Sequence, residues 1–458
     1  MVTEVKTIWE DLGEEAVAEV ESLSRGYLDF ISEAKTEREV IDFFVEKLKR
    51  AGYRNIEDDI ELKSGDRFYC INSGKSLAAG IIGKNGLDNG IYMLASHVDS
   101  PRIDLKPRPV YQDEETNTTL LKTQYYGGLK KYQWVNLPLS IHGRIFTRDG
   151  KEIRLSLGDR EDEPIFLIPD LLPHIAKMQR DRKLFEGIEA EEMNVIFGST
   201  PEKSGDNRFK DRIMKLLKES YGIEEEDLAS SDISLVPAGR AREAGLDRSM
   251  IVGYGHDDRS SAYTTFRALI DTKSPDDTVL AMFFDREEIG SQGLTGSKSN
   301  FLEYIVMLIM RKMAKRSDPA DMLTLLRKSR VISADVSAAM DPSFKDAHDT
   351  HNAARLGSGI VISKYSGHGG KYSGSEANAE YVAYIRNILQ KHDVPYQFGT
   401  LGKVDEGGGG TVAQDFARYG MNVIDAGAPV LGMHAPFELL SKVDLWSCYR
   451  AYRAFLLH

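Results

Sequence analysis

Strand-like and helix-like segments alternate over the first hundred residues of this chain and again from about residue 246 to its end. This rhythm, interrupted once, limits the possible folds more than any other feature. Short apolar runs bounded by Gly and Asn, FYCINSGKSLAAGIIG (68–83) and GIYMLASHVDS (90–100), predict buried strands. AVAEVESLSRGYLDFISEA and TEREVIDFFVEKLKRAGY space apolar residues three to four apart and predict two helices. Thr36 and Glu39 form a reciprocal cap for the second helix, which stops at Gly52. Further on, SMIVGYG (249–255), DTVLAMFFD (277–285), KSRVISADVS (328–337) and MNVIDAGAP (421–429) read as strands separated by helical segments such as SSAYTTFRALID. Strands alternating with helices imply a largely parallel sheet covered on both faces. Residues 101–245 differ: VYQDEETNTTLLKTQYYGG and LSIHGRIFTRDGKEIRLSLG read as hairpins, with many turn signals and more charge. The predicted fold class is α/β. A domain of residues 1–100 and 246–458, with a mostly parallel central sheet flanked by helices, is interrupted by an inserted β-rich domain, 101–245.

Composition narrows the chemistry. Lys and Arg number 59 and Asp and Glu 71, so the formal charge is −12. That balance argues against nucleic acid and against an anionic membrane surface as partners. Only Cys70 and Cys448 are present, which excludes a disulfide framework and any thiolate-rich metal site. The most apolar stretch, FLEYIVMLIMRKM, is broken by Glu303 and Arg311 and falls short of the ~20 apolar residues of a membrane span. The leading MVTEVKTIWEDLGEEA carries acids where a signal peptide has a cationic and then an apolar run. The expected location is the reducing cytoplasm.

In an open α/β sheet, ligands collect beyond the carboxyl ends of the strands. Five predicted strands here deliver acid or imidazole to that edge: Ser96-His97-Val98-Asp99, His256-Asp257-Asp258-Arg259, Asp285-Arg286-Glu287-Glu288, Ser333-Ala334-Asp335 and Gly432-Met433-His434. Each has a plain structural reading. Glu287-Glu288 could be a solvated turn, one of Asp257 and Asp258 a helix cap, Asp335 a turn residue and His434 a satisfied core histidine. Taken together they are costly to bury unless they coordinate something. Imidazole nitrogen and carboxylate oxygen are ordinary zinc ligands, and five residues can hold two metals if one carboxylate bridges them. Paired ions can polarise a carbonyl and activate a shared water. One carboxylate of the Glu287-Glu288 pair can bind metal while its neighbour acts as general base, and Asp99 is placed to accept the His97 ring N–H.

The ordered set resembles the aspartyl aminopeptidase family of zinc exopeptidases over nearly the whole chain. SHVDSPRIDLKP, DDRSSAY, DREEIGS, ISADVSAAMDP and DAGAPVLGMHAPFE carry the resemblance, with Asp258 standing where the family has Asn. The resemblance implies two divalent ions per subunit, with zinc first and cobalt or manganese also compatible with the donors. It implies His97 and Asp335 on one metal, Glu288 and His434 on the other, and Asp257 bridging them. It assigns Glu287 as general base and Asp99 as the partner of His97. It further implies a dimerising inserted domain, dimers assembled into a tetrahedral dodecamer, and a histidine given to the neighbouring subunit's site. His174 in LLPHIAKMQR matches that histidine across a one-residue gap. His351, in HDTHNAARLG, falls in a segment near the substrate. A lysine after a Gly-x-x-Ile strand reads an acidic substrate residue in this family; here GSGIVISKYSG puts Ser363 in that slot and Lys364 one place later.

The expected activity is therefore a metallo-aminopeptidase releasing single N-terminal residues from peptides. Preference for Asp or Glu and preference for neutral residues both remain open, as does a non-catalytic shell or cargo protein that keeps the fold. Other chemistries lack their signatures: GSQGLTGSKS has no Gly-Lys-Ser/Thr order, and there is neither a His-Glu-x-x-His helix nor a Gly-x-Ser-x-Gly elbow.

Overall fold

The structure, a computed structural model, describes residues 6–314 and 317–458. The first five residues of the leading acidic segment lie outside the described residues. Contacts divide the chain into two units. The first takes the chain up to Asp99, Ala241–Met433 and Glu438–His458; the second takes Ser100–Arg240 and His434–Phe437.

The first unit is built on a nine-stranded sheet. Its order is Arg54–Asn55, Arg67–Asn72, Ser76–Ile81, Thr278–Phe284, Ile91–His97, Arg330–Ser333, Asn422–Gly427, Ile360–Ser363 and Tyr396–Phe398. Five of its eight pairings are parallel and three antiparallel. The sheet is thus mixed, with four adjacent parallel strands at its centre. The predicted strand at 68–83 is a hairpin, because Ser73 (φ 51°) and Gly74 (φ 67°) turn the chain back between Arg67–Asn72 and Ser76–Ile81. Side chains alternate between faces, as strand geometry requires. Tyr92 and Leu94 pack with Phe30, Phe44, Phe266 and Phe455 on one face. Met93 and Ala95 pack with Ile305, Ile309, Leu326 and Phe416 on the other. Burying aromatic and aliphatic side chains stabilises by ~1.5–3 kcal/mol each, so helices on both faces hold the central strands rigid. The predicted cap at Thr36 and Glu39 forms, with backbone and side-chain bonds running in both directions.

Met250–Gly253 is not part of this sheet. It lies in a second, five-stranded sheet with Arg242–Ala244, Glu438–Ser441, Pro429–Leu431 and Ser337–Ala338. The helix after it spans His256–Asp271, with non-helical backbone at Asp257 and Asp258 and a cis peptide bond between them.

The second unit carries a six-stranded sheet in the order Glu152–Leu157, Leu139–Phe146, Ser231–Pro237, Arg102–Asp113, Thr118–Tyr126 and Val195–Gly198. Every pairing is antiparallel. The amphipathic helix Arg208–Tyr221 ends at Gly222, whose φ of 71° is the left-handed cap that glycine accommodates. Among the described residues no helix is long and apolar enough to cross a membrane.

Candidate metal centre

Three adjacent parallel strands bring their carboxyl ends to one edge. Phe284 pairs with His97, and Ser333 with Ala95, so the residues just beyond these positions share that edge. His97 is the last residue of its strand. Asp335 follows Arg330–Ser333 by two residues, and the backbone closes tightly there. A Cβ on Gly427 would collide with the Asp335 carbonyl oxygen, so only glycine permits this approach. Beyond Phe284 the chain turns through Arg286 (φ 71°), a single helical turn at Glu287–Ile289, and Gly290 (φ 93°).

His97 is the hub. Its Nε2 lies 3.1 Å from Asp257 Oδ1. Its Nδ1 lies 3.0 Å from the Asp99 carbonyl oxygen and 3.3 Å from the Asp99 carboxylate. The Asp99 carbonyl and the Asp257 carboxylate both only accept, so Nδ1 keeps a proton and Nε2 is the ring nitrogen at which a cation would replace the proton shared with Asp257. Asp99 therefore fixes the ring as its spacing from His97 suggests, but chiefly through its backbone. Its carboxylate is engaged elsewhere. Oδ1 accepts the Glu287 N–H at 3.1 Å and Oδ2 the Glu288 N–H at 3.2 Å. This two-pronged hold anchors the turn that carries both glutamates.

Two groups of donor atoms gather here, each within 4.8 Å: His97 with Asp257 and Glu288, and His97 with Asp258 and Asp335. His97, Asp257, Glu288 and Asp335 all stand among the residues that the sequence motifs single out. Asp258 does not; in the motifs it is only a substitution for asparagine. It is fully buried and accepts from the His97 N–H at 3.4 Å and the Val336 N–H at 3.2 Å.

The charge balance shows what such a set can hold. Burial, then the charge of Asp258, pushes the Asp335 carboxyl well above the usual range. Burial, set against His97, does the same to Asp258, and the charge of Asp257 adds to it. Burial alone would depress His97, yet its hydrogen bonds to Asp257 and Asp99 and the charges of Asp258 and Asp335 hold it well above its ordinary value. Beside the cluster, burial and then the charges of Glu37 and Asp99 push Asp285 up to about 7. Arg259, also fully buried, commits its guanidinium to the carbonyls of Gly255, Ala34 and Tyr254. An excess of buried carboxylate around one imidazole is the donor chemistry that divalent cations neutralise.

The remaining candidates are not members of these two groups. His434 sits in the His434–Phe437 segment of the second unit, at φ 65°, with Nδ1 2.8 Å from the Gly128 carbonyl oxygen. That contact places its proton on Nδ1 and its lone pair on Nε2. His174 is exposed in a turn of the second unit. His351 is exposed in a turn whose backbone N–H bonds Asp349 at 3.1 Å. Lys364 directly follows Ile360–Ser363 and faces Glu376 at 3.9 Å, a carboxylate that Lys371 approaches more closely at 3.0 Å.

Comparison with known proteins identifies the family. The family described as aminopeptidase I zinc metalloprotease (M18) matches residues 30–456. The chain is 46% identical to a probable M18 family aminopeptidase 1 of Borreliella afzelii over 98% of each chain. It is 44% identical to the counterpart in Clostridium acetobutylicum, over 100% of this chain and 99% of that protein. Among solved structures, an M18-family aminopeptidase from Thermotoga maritima superposes with a TM-score of 0.95 at 43% identity, covering 99% of both chains. The Clostridium acetobutylicum aminopeptidase I superposes at 0.93 and 41% identity over 100% of both.

Proposed function

Since the chain belongs to the M18 zinc metalloproteases, and so is an aminopeptidase, a hydrolase acting on peptides, we propose that it releases single N-terminal residues through a centre of two divalent ions. The observation that carries this reading is the pair of donor groups sharing His97. His97, Asp257, Asp335 and Glu288 would hold the ions, with Asp257 the carboxylate that the family resemblance assigns to both and His434 the further ligand it adds. Zinc fits these donors best, and cobalt or manganese are compatible. Bound there, the ions supply Lewis acidity toward the scissile carbonyl and toward water.

The chain's own residues do the rest. Glu287 takes a proton at its carboxylate and returns it to the leaving amine. Asp99 holds Glu287 in place through the backbone N–H it accepts. It also fixes the His97 tautomer, so that Nε2 stays a donor atom for metal.

In this reading the inserted domain joins two copies. Leu171, Leu172, Ile175, Met178, Leu184 and Phe185 are exposed around His174, and an apolar patch of this kind favours a partner surface. A second copy would cover it and bring its own His174 toward a neighbouring site, and such dimers could build a tetrahedral dodecamer. A cytoplasmic location suits the two cysteines, both reduced and buried. His351 and Lys364 are assigned to substrate binding. The Glu376 carboxylate beside Lys364 offsets its charge, which favours a neutral N-terminal residue over Asp or Glu. Turnover of Asp-, Glu-, Leu- and Ala-chromogenic substrates by protein loaded with zinc, cobalt or manganese tests this. Faster release of Leu or Ala is expected; a strong preference for Asp or Glu would restore Lys364 as the reader of an acidic side chain.

A further inference from the structure

We propose that Glu438 is a positioning residue for Asp257, holding the backbone of the carboxylate assigned to both ions and so setting how tightly the centre keeps metal. The inference rests on the two-metal reading above and extends it to a residue outside the ligand set. Glu438 Oε2 accepts a hydrogen bond from the Asp257 N–H at 2.9 Å, and the glutamate is only 2% exposed.

Strand register sets up this contact. Glu438 opens Glu438–Ser441 and pairs with Gly253, the last residue of Met250–Gly253. Asp257 follows four residues later, so a side chain at position 438 reaches across the turn 254–256 to the Asp257 amide. The rest of that turn is fixed by neutral contacts and one cation. His256 Nε2 donates to the Ile251 carbonyl at 3.1 Å, which leaves Nδ1 to accept the Tyr27 hydroxyl at 2.6 Å. Arg259 donates to the carbonyls of Tyr254 and Gly255 within the turn. Glu438 is the anionic member of this support.

A carboxylate is the stronger acceptor for that N–H, since a charge-assisted hydrogen bond is shorter and stronger than a neutral one. Glu438 thus orients the Asp257 peptide, and through it the carboxylate at the donor cluster. Contacts of this kind behind a metal ligand are typically worth ~10–100-fold in metal affinity.

The test strips metal from the wild type, Glu438→Gln and Glu438→Ala, then titrates zinc against a competing chromogenic chelator. Unfolding of the stripped proteins is recorded alongside, and kcat and KM in saturating zinc. The wild type should take up two ions. Glu438→Gln keeps an acceptor but loses the charge and should bind zinc about threefold to tenfold more weakly; Glu438→Ala loses both, for a ~10–100-fold drop. In both variants kcat should fall while KM moves by less than about twofold, since the substrate's own contacts are untouched. If Glu438→Ala does not fold, Glu438→Gln decides: zinc affinity and kcat equal to the wild type would overturn the proposal. A wild type that takes up no zinc would overturn the two-metal reading itself, an outcome distinct from a metal-binding wild type with unaffected variants.

Discussion

The two units of this chain handle charge in opposite ways. In the inserted unit, charges pair with opposite charges near the surface: Lys210 with Glu225 at 2.6 Å, Arg144 with Glu152 at 3.1 Å, Arg182 with Glu192 at 3.0 Å. At the strand ends of the first unit, His97, Asp257, Asp258 and Asp335 are packed together, and the first three are at most 4% exposed. Partly exposed pairs cost little and contribute little. A buried group dominated by one sign is expensive, and a sequence retains it only where something else supplies the missing charge. The contrast separates charge that decorates a scaffold from charge that awaits a ligand.

The largest effect belongs to the chemistry at that edge. Glu287→Gln should lower turnover by ~10²–10⁴-fold with metal content unchanged, read by steady-state kinetics beside elemental analysis. Full activity in that variant would remove Glu287 from the reaction. Next is the buried repulsion. With metal chelated, Asp335→Asn should stabilise the protein by on the order of 1–3 kcal/mol; with zinc present it should destabilise it relative to wild type. Urea unfolding under both conditions reads the sign change, and the same sign in both would mean the cluster does not depend on metal.

A buried carboxylate away from the cluster gives a third test. Asp444 accepts the N–H groups of Gly357 at 2.6 Å and Gly359 at 2.7 Å, yet burial outweighs these bonds and pushes it up to about 8. A carboxyl raised above its unfolded value of ~3.9 gives its full contribution below that pH and loses it as pH rises through about 8. Unfolding in chelator should therefore show stability falling between about pH 4 and 8 by up to ~1.4 kcal/mol per unit from this group, a slope that Asp444→Asn lacks. Equal slopes would mean that Asp444 is not the group responsible. The smallest effect is in the insert: Lys210→Gln should change stability by less than about 1 kcal/mol in thermal unfolding. A larger loss would mean that the surface pairs of the insert carry more than the comparison allows.

Much of this is legible in the residues, for reasons that also mark the limits. His97, Glu287 and Asp335 can be found because strand ends in an α/β sheet share an edge, and apolar periodicity locates strand ends. Asp258 escapes because an Asp-Asp pair before a helix has the same appearance as a cap, and only the fold groups its carboxylate with His97 and Asp335. The strand before Asp257 reads as part of the main sheet, since a four-residue apolar run does not state its neighbours. The hairpin inside 68–83 is hidden because Asn72-Ser73-Gly74 interrupts a run that is apolar on both sides. Glu438 closes the DAGAPVLGMHAPFE motif, yet the sequence does not give its role: its partner is a backbone amide, and register between strands nearly two hundred residues apart brings the two together.

Metal stoichiometry tests the two-ion centre most directly. Protein stripped with chelator and reloaded with zinc should bind two ions per chain, lose peptidase activity on stripping and regain it on reloading. A chain that binds no divalent ion, or that cleaves peptides equally well before and after stripping, would contradict it.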